Sequence, residues 1–250
     1  MRDNSAMASV GQEPQARDSW GTLARDARNH ALRTFLPVLV PVVAMWAFYL
    51  VYVFTGNWIT IALGLEARSI SGLAGILFMP LLHGGLGHLL GNTFSWLVLG
   101  GMVTLLNRRF MLIMGLIWLI SGVLLWIGGT PWICHAPEGF DCVRRHIGAS
   151  AVIYGFAAFL VVYGILTRRL LAILFAVVTM IVYGLSMLVG MVPLNSGGVS
   201  WTGHIAGALA GVAVAFILTR GVRAERRARR GIPSSSGETA TAARRLGRRS

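Results

Sequence analysis

Residues 86–128 read LGHLLGNTFSWLVLGGMVTLLNRRFMLIMGLIWLISGVLLWIG, and the reading of this stretch decides the fold. No charged residue occurs from Leu86 to Leu106 or from Phe110 to Ile127, and only Asn107, Arg108 and Arg109 lie between the two runs. A hydrocarbon layer about 30 Å thick takes roughly 20 apolar helical residues to cross. Two such runs joined by a short basic turn therefore read as one span entering a bilayer and the next returning. A helix of a water-soluble domain keeps a charged, polar face, and these runs carry no charge.

Outward from this pair, four further runs meet or approach the same length: Phe35 to Phe54, Gly148 to Leu166, Leu170 to Val189, and Trp201 to Leu218. The whole chain of 250 residues is 55% hydrophobic and 12% charged, about half the charge of an ordinary soluble domain. The expected fold is all-α, a polytopic membrane protein with a bundle of six transmembrane helices. A seventh run, Ile70 to Leu82, is too short to cross and contains Pro80, which removes a backbone donor. It is expected at the membrane interface, before the second span.

Every basic residue is arginine, and their placement orients the bundle. Nineteen fall in the N-terminal segment, the two even-numbered turns (Arg108, Arg109, Arg168, Arg169) and the C-terminal segment, against three on the other side, Arg68, Arg144 and Arg145. The positive-inside rule then places both termini in the cytoplasm of a multi-pass protein of the cell membrane. The chain divides into a cytoplasmic tail over 1–34, a membrane domain over 35–220 and a basic tail over 221–250, the last expected to lack fixed structure from Arg223 onward. Ten arginines between Arg220 and Arg249 supply much of the net charge of +13, and directly beyond a span they suit anionic lipid head groups better than nucleic acid. The apolar run beginning near Leu36 is too long for a signal-peptide core, so no cleaved leader is expected.

Polar groups within spans cost several kcal/mol unless paired or functional, and they concentrate at one depth. His83, His88 and Asn92 mark the start of the second span, Ser150 the fourth and His204 the sixth, all toward the extracytoplasmic side. In His146-Ile147-Gly148-Ala149-Ser150, Gly148 permits a close backbone approach, and the helix that follows offers free N–H groups to an oxyanion. Gly203, Gly207 and Gly211 form a side-chain-free seam around His204, and Gly148, Ala151, Gly155 and Ala158 form a matching ridge. Packing the two would bring His204 to Ser150. His88 and Asn92 share a helix face, while Gly84, Gly85 and Gly87 release His83 from that helix to face the same site. Taken singly, each of these residues also fits ordinary span packing.

In combination, His83-x4-His88-x3-Asn92, Gly148-Ala149-Ser150 and Gly203-His204-Ile205-Ala206-Gly207 resemble the rhomboid family of intramembrane serine proteases, over about Ile70 to Leu218. The resemblance implies a serine endopeptidase that hydrolyses peptide bonds in or near the transmembrane segments of other membrane proteins. Ser150 would be the nucleophile and His204 the general base. His83 and Asn92 would join the Ser150 N–H in the oxyanion hole, with His88 bracing them and Tyr154 carrying the histidine ring. Ala151 stands where the family usually has glycine, Gly203 where alanine is common, and no Trp-Arg pair precedes the second span. With no acid in any span, a dyad replaces a triad. A rhomboid-like protein that binds membrane proteins without cleaving them is the alternative, and intact Ser150 and His204 disfavour it.

Cys134 and Cys142 lie in the loop between spans three and four, close enough for a disulfide if that loop faces an oxidising compartment. With His135 and His146 they match no common zinc spacing, so neither a metal nor any other cofactor is expected.

Overall fold

The computed structural model describes residues 15–130, 132–133, 143–193 and 200–229. In chain order the elements are α1 (Gln15–Thr55), α2 (Trp58–Leu63), α3 (Gly75–Phe78), α4 (Leu86–Leu106), α5 (Phe110–Gly128), β1 (Trp132–Ile133), β2 (Val143–Arg144), α6 (Ser150–Thr167), α7 (Leu170–Gly190), α8 (Trp201–Leu218) and α9 (Arg220–Arg229). Six of them, α1 and α4 to α8, are long and apolar enough to cross a membrane. The one sheet among the described residues is the two-residue antiparallel pair β1–β2, so the architecture is an all-α bundle of membrane spans.

Two boundaries differ from the sequence reading. Helix α1 begins at Gln15, about five turns before the apolar run, because Ala, Leu and Arg fill that stretch and favour helix. At the other end, α9 carries the chain in helical form through Arg229, against the expectation of disorder from Arg223. Arg223 ties this helix back to α8: its guanidinium donates to the Phe216 carbonyl at 2.8 Å and lies 4.9 Å from the Phe216 ring centre. The expected bridge between Cys134 and Cys142 lies outside the described residues.

The bundle is organised around α6. In a bilayer, helices gain nothing by hiding apolar surface from water, so close packing of small residues decides which of them meet. Along α8, a Cβ at Gly207 would strike the Ala151 carbonyl, and one at Gly211 the Gly155 carbonyl. On its other side, Gly155 has no room for a Cβ against Ile117 of α5. Farther down, Gly164 lets α7 approach through Ala172 and Ala176. The core then fills with aromatic side chains, Trp96 meeting Phe156 edge-on at 5.1 Å and Phe156 meeting Phe110 at 5.8 Å, all fully buried.

Helix α1 packs on α4 from outside. Its Pro37 and Pro41 interrupt the helical ladder, and between them the Val38 carbonyl accepts the Trp96 indole N–H at 3.0 Å. The short apolar run folds as two 3-10 turns flanking α3, laid against α5 at the end where α4 begins. Trp118 donates to the Leu77 carbonyl at 3.1 Å and Trp126 to the Ser69 carbonyl at 2.9 Å. In place of a Trp-Arg pair, Arg145 anchors this region through an ion pair to Glu66 at 3.2 Å and hydrogen bonds to the Gly64 and Ser71 carbonyls.

Candidate active site

Helices α4, α6 and α8 all start at the same end of the bundle, where their first turns converge. Ser150 is the first residue of α6, and His204 lies one turn into α8. The glycine contacts just described hold the two helices close enough for the Ser150 Oγ to stand 3.0 Å from His204 Nε2. On the far side of the ring, Nδ1 is 2.8 Å from the carbonyl oxygen of Gly190, the last residue of α7. A carbonyl only accepts, so Nδ1 carries the proton and Nε2 is left to accept the Ser150 O–H. Tyr154, one turn below Ser150, stacks on the imidazole with ring centres 4.0 Å apart and planes 8° from parallel. Stacking and the carbonyl bond together fix the ring in the plane and tautomer that a base toward Ser150 requires.

Gly190 escaped the sequence reading, because a backbone acceptor has no signature in residue type. Its one visible trace is the glycine itself: a Cβ there would collide with the Tyr154 hydroxyl and come within 3.1 Å of His204 Nδ1. His146 and Ser200 were also missed as a pair, and their side chains meet at 2.7 Å outside the spans.

Against Gly148, two residues before Ser150, lies a second group of polar side chains. Gly148 has φ +106°, a conformation that strains any residue with a Cβ. A Cβ there would lie 2.6 Å from both Cε1 and Nε2 of His88 and 3.3 Å from Asn92 Nδ2. The segment is pinned from below by a hydrogen bond from the Gly148 N–H to the Met79 carbonyl at 2.9 Å. His88 and Asn92 thus frame the peptide that leads into the serine.

His83 sits beside them with both ring nitrogens engaged. Nδ1 lies 3.3 Å from the Leu81 carbonyl, and Nε2 lies 2.9 Å from Asn92 Nδ2. The first contact needs Nδ1–H as donor, so Nε2 accepts one of the two Asn92 amide protons and leaves the other uncommitted beside Gly148. His83 is 1% exposed, and burial together with the neighbouring His88 pushes its pKa down to about 4, so it is neutral at pH 7. His88 is exposed, its ring 4.9 Å from that of His83. Among the described residues no cluster of His, Cys, Asp or Glu is arranged to hold a metal ion.

Similarity to known proteins covers this same region. The Rhomboid domain family matches residues 72–221, which include α3, α4 to α8 and every residue of the site. The uncharacterized protein Rv1337 of Mycobacterium tuberculosis is 38% identical over 170 residues, 67% of this chain and 68% of its own length. Another, ML1171 of Mycobacterium leprae, is 37% identical over 150 residues, 59% of this chain and 57% of its own. A match across more than half the chain, running through the helices that carry Ser150 and His204, makes this protein a member of the rhomboid family.

Proposed function

We propose that this protein is an intramembrane serine endopeptidase, hydrolysing peptide bonds in or near the transmembrane segments of other membrane proteins. One observation carries the reading: Ser150 Oγ lies 3.0 Å from a His204 nitrogen whose opposite nitrogen is held by a carbonyl. A serine packed only for structure would bond its own helix backbone, and a histidine placed only for structure needs no fixed tautomer.

In the reaction, His204 Nε2 takes the Ser150 proton as Oγ attacks the scissile carbonyl. The Gly190 carbonyl bonds Nδ1–H throughout and stabilises the imidazolium, a part that a carboxylate plays in a triad. His204 then protonates the leaving amine, and water, deprotonated by the same nitrogen, releases the acyl group. The developing oxyanion forms beside the Ser150 N–H at the start of α6, where the helix end favours negative charge.

The hydrogen bonds favour a different division of labour among the polar groups from the one the family resemblance suggested. His83, buried and bonded at both nitrogens, orients Asn92, while the exposed His88 ring over Gly148 is free to donate to the oxyanion with Asn92 Nδ2. Arginine placement puts the site toward the extracytoplasmic side, with both termini in the cytoplasm and the basic tail against anionic lipid. Substrates on this reading are membrane proteins whose helix unwinds locally near that face.

The decisive experiment is cleavage of a labelled single-pass reporter by purified protein in liposomes, comparing wild type with Ser150→Ala and His204→Ala. Each variant is expected to lose about 10³-fold or more in kcat/KM, with the double variant no worse than the poorer single, as for residues acting as a unit. Equal cleavage by all of them, or none by folded wild type across several reporters, would instead favour a rhomboid protein that binds membrane proteins without cutting them.

A further inference from the structure

Shortly before each member of the dyad in the chain lies a polar residue that the chemistry above leaves unused. His146 precedes Ser150 by four residues and Ser200 precedes His204 by four. Their side chains meet, His146 Nδ1 to Ser200 Oγ, at 2.7 Å. Ser200 is also the N-cap of α8: its Oγ accepts the Gly203 N–H at 3.2 Å, and its carbonyl accepts the N–H of His204 itself at 3.1 Å.

The protons can be assigned around this chain of contacts. His146 is 3% exposed, with the backbone of Thr130, just beyond α5, beside its ring. With Nδ1 occupied by Ser200, a neutral ring that turns Nε2–H toward the Thr130 carbonyl leaves Nδ1 to accept the Ser200 O–H. Burial holds the His146 pKa down at about 4, which keeps the ring in this neutral form. The order is then Gly203 N–H to Ser200 Oγ and Ser200 O–H to His146 Nδ1. His146 is itself fixed by paired backbone hydrogen bonds with Leu65, at 2.8 and 3.0 Å. Arg145 beside it is tied to Glu66 and Ser71.

We propose that His146 and Ser200 are a positioning pair that sets the separation of Ser150 and His204 by tying the entry of α6 to the first turn of α8. The inference rests on the proteolytic reading of the dyad. The glycine seam fixes the two helix axes from Gly207 onward, and His204 rides on the first turn of α8, ahead of those contacts. Without the pair, that turn loses its side-chain tie to the entry of α6. Misplacement of a catalytic group by about 1 Å can cost 10²-fold in rate.

The test uses the full chain in detergent and a fluorophosphonate, which forms a bond from Ser150 Oγ to phosphorus and releases fluoride as His204 takes the serine proton. Both the labelling rate and the final stoichiometry are read. His146→Ala and Ser200→Ala should each label about tenfold or more slowly yet reach wild-type stoichiometry, a split that a loss of folded protein does not give. The double variant should be no slower than the slower single. His146→Asn, which returns an acceptor near the place of Nδ1, should recover most of the rate, whereas His146→Gln, reaching instead toward Thr130, should not. Wild-type labelling rates in the alanine variants overturn the pair alone, as does a stoichiometry that falls in step with the rate. Failure of Ser150 to label in the wild type overturns the proteolytic reading and this inference with it.

Discussion

Helices α6 and α7 are neighbours of similar length and apolarity, yet they occupy opposite places in the bundle. Their mean hydropathies are 2.0 and 2.5, but 67% of the α6 span is buried inside the protein against 17% of the α7 span. Hydropathy therefore makes a span without saying where it goes. The difference lies in small residues at regular spacing. Ala151, Gly155 and Gly164 on α6 meet Gly207, Ile117 and Ala172 on three different helices. Helix α7 has Ala172 and Ala176 against α6 near its start, and the rest of its length is largely branched and aliphatic side chains turned outward. It rejoins the protein's chemistry only at its last residue, through the Gly190 carbonyl.

The largest expected effect comes from filling the seam that centres α6. Gly211→Leu would drive a side chain into the Gly155 carbonyl, a backbone atom that cannot yield without moving the helix. Overpacking a core typically costs about 1–3 kcal/mol, and a collision with backbone belongs at or above the upper end. The variant should lose monodisperse protein on size exclusion, or melt well below wild type. An unchanged melting temperature would show that glycine spacing is not what places α6 at the centre.

Next in size is Gly190→Ala, which tests the one point where α7 enters the site. The added methyl meets the Tyr154 hydroxyl and His204 Nδ1, so the ring must tilt away from its carbonyl partner. Reporter cleavage should fall about 10²-fold with KM nearly unchanged, because a displaced base weakens the transition state rather than binding. Since the change lies at the helix end, melting should shift little. Full activity would mean that the Gly190 carbonyl does not orient the base.

A third effect separates the site end of the bundle from its apolar middle by pH. His83 and His146 have pKa values lowered to about 4, so an unfolded chain binds protons that the folded one refuses between about pH 6.5 and 4. Stability should fall as pH drops through that window and level off below it. Thermal melts from pH 7.5 to 4 check this, and His83→Asn should flatten the dependence. A melting temperature independent of pH in the wild type would mean that neither histidine is held neutral by the fold.

The sequence makes the spans, the glycine seam and the meeting of Ser150 with His204 legible because each rests on residue type at fixed spacing. Ser150 and His204 stand out as polar groups in apolar runs, and Gly207 and Gly211 as absent side chains. What stays hidden depends on backbone atoms or on pairs far apart in the chain. The acceptor for His204 is a carbonyl, and His146 and Ser200 are each unremarkable alone. Spacing puts His88 on the helix face of Asn92 and His83 in the glycine-rich turn before it, but leaves both facing the site. Their hydrogen bonds distinguish them, because only His83 has both nitrogens committed.

The smallest effect is the sharpest check on the comparison. Ile181 and Leu185 on α7 are 78% and 77% exposed, and in a bilayer that exposure is to lipid, which is as apolar as they are. Truncating either to alanine trades one hydrocarbon contact for another and should change stability by no more than about 0.5 kcal/mol, the range of ordinary surface substitutions. Phe156→Ala on α6 removes a fully buried ring wedged between Trp96 and Phe110, and such a cavity costs about 3–5 kcal/mol because neither neighbour can follow it. Both changes remove apolar atoms from spans of similar hydropathy, so a difference between them isolates packing from apolarity. Equal losses in a reversible unfolding assay in detergent would show that the outer face of α7 is covered in the folded protein, and the contrast between the two helices would fail.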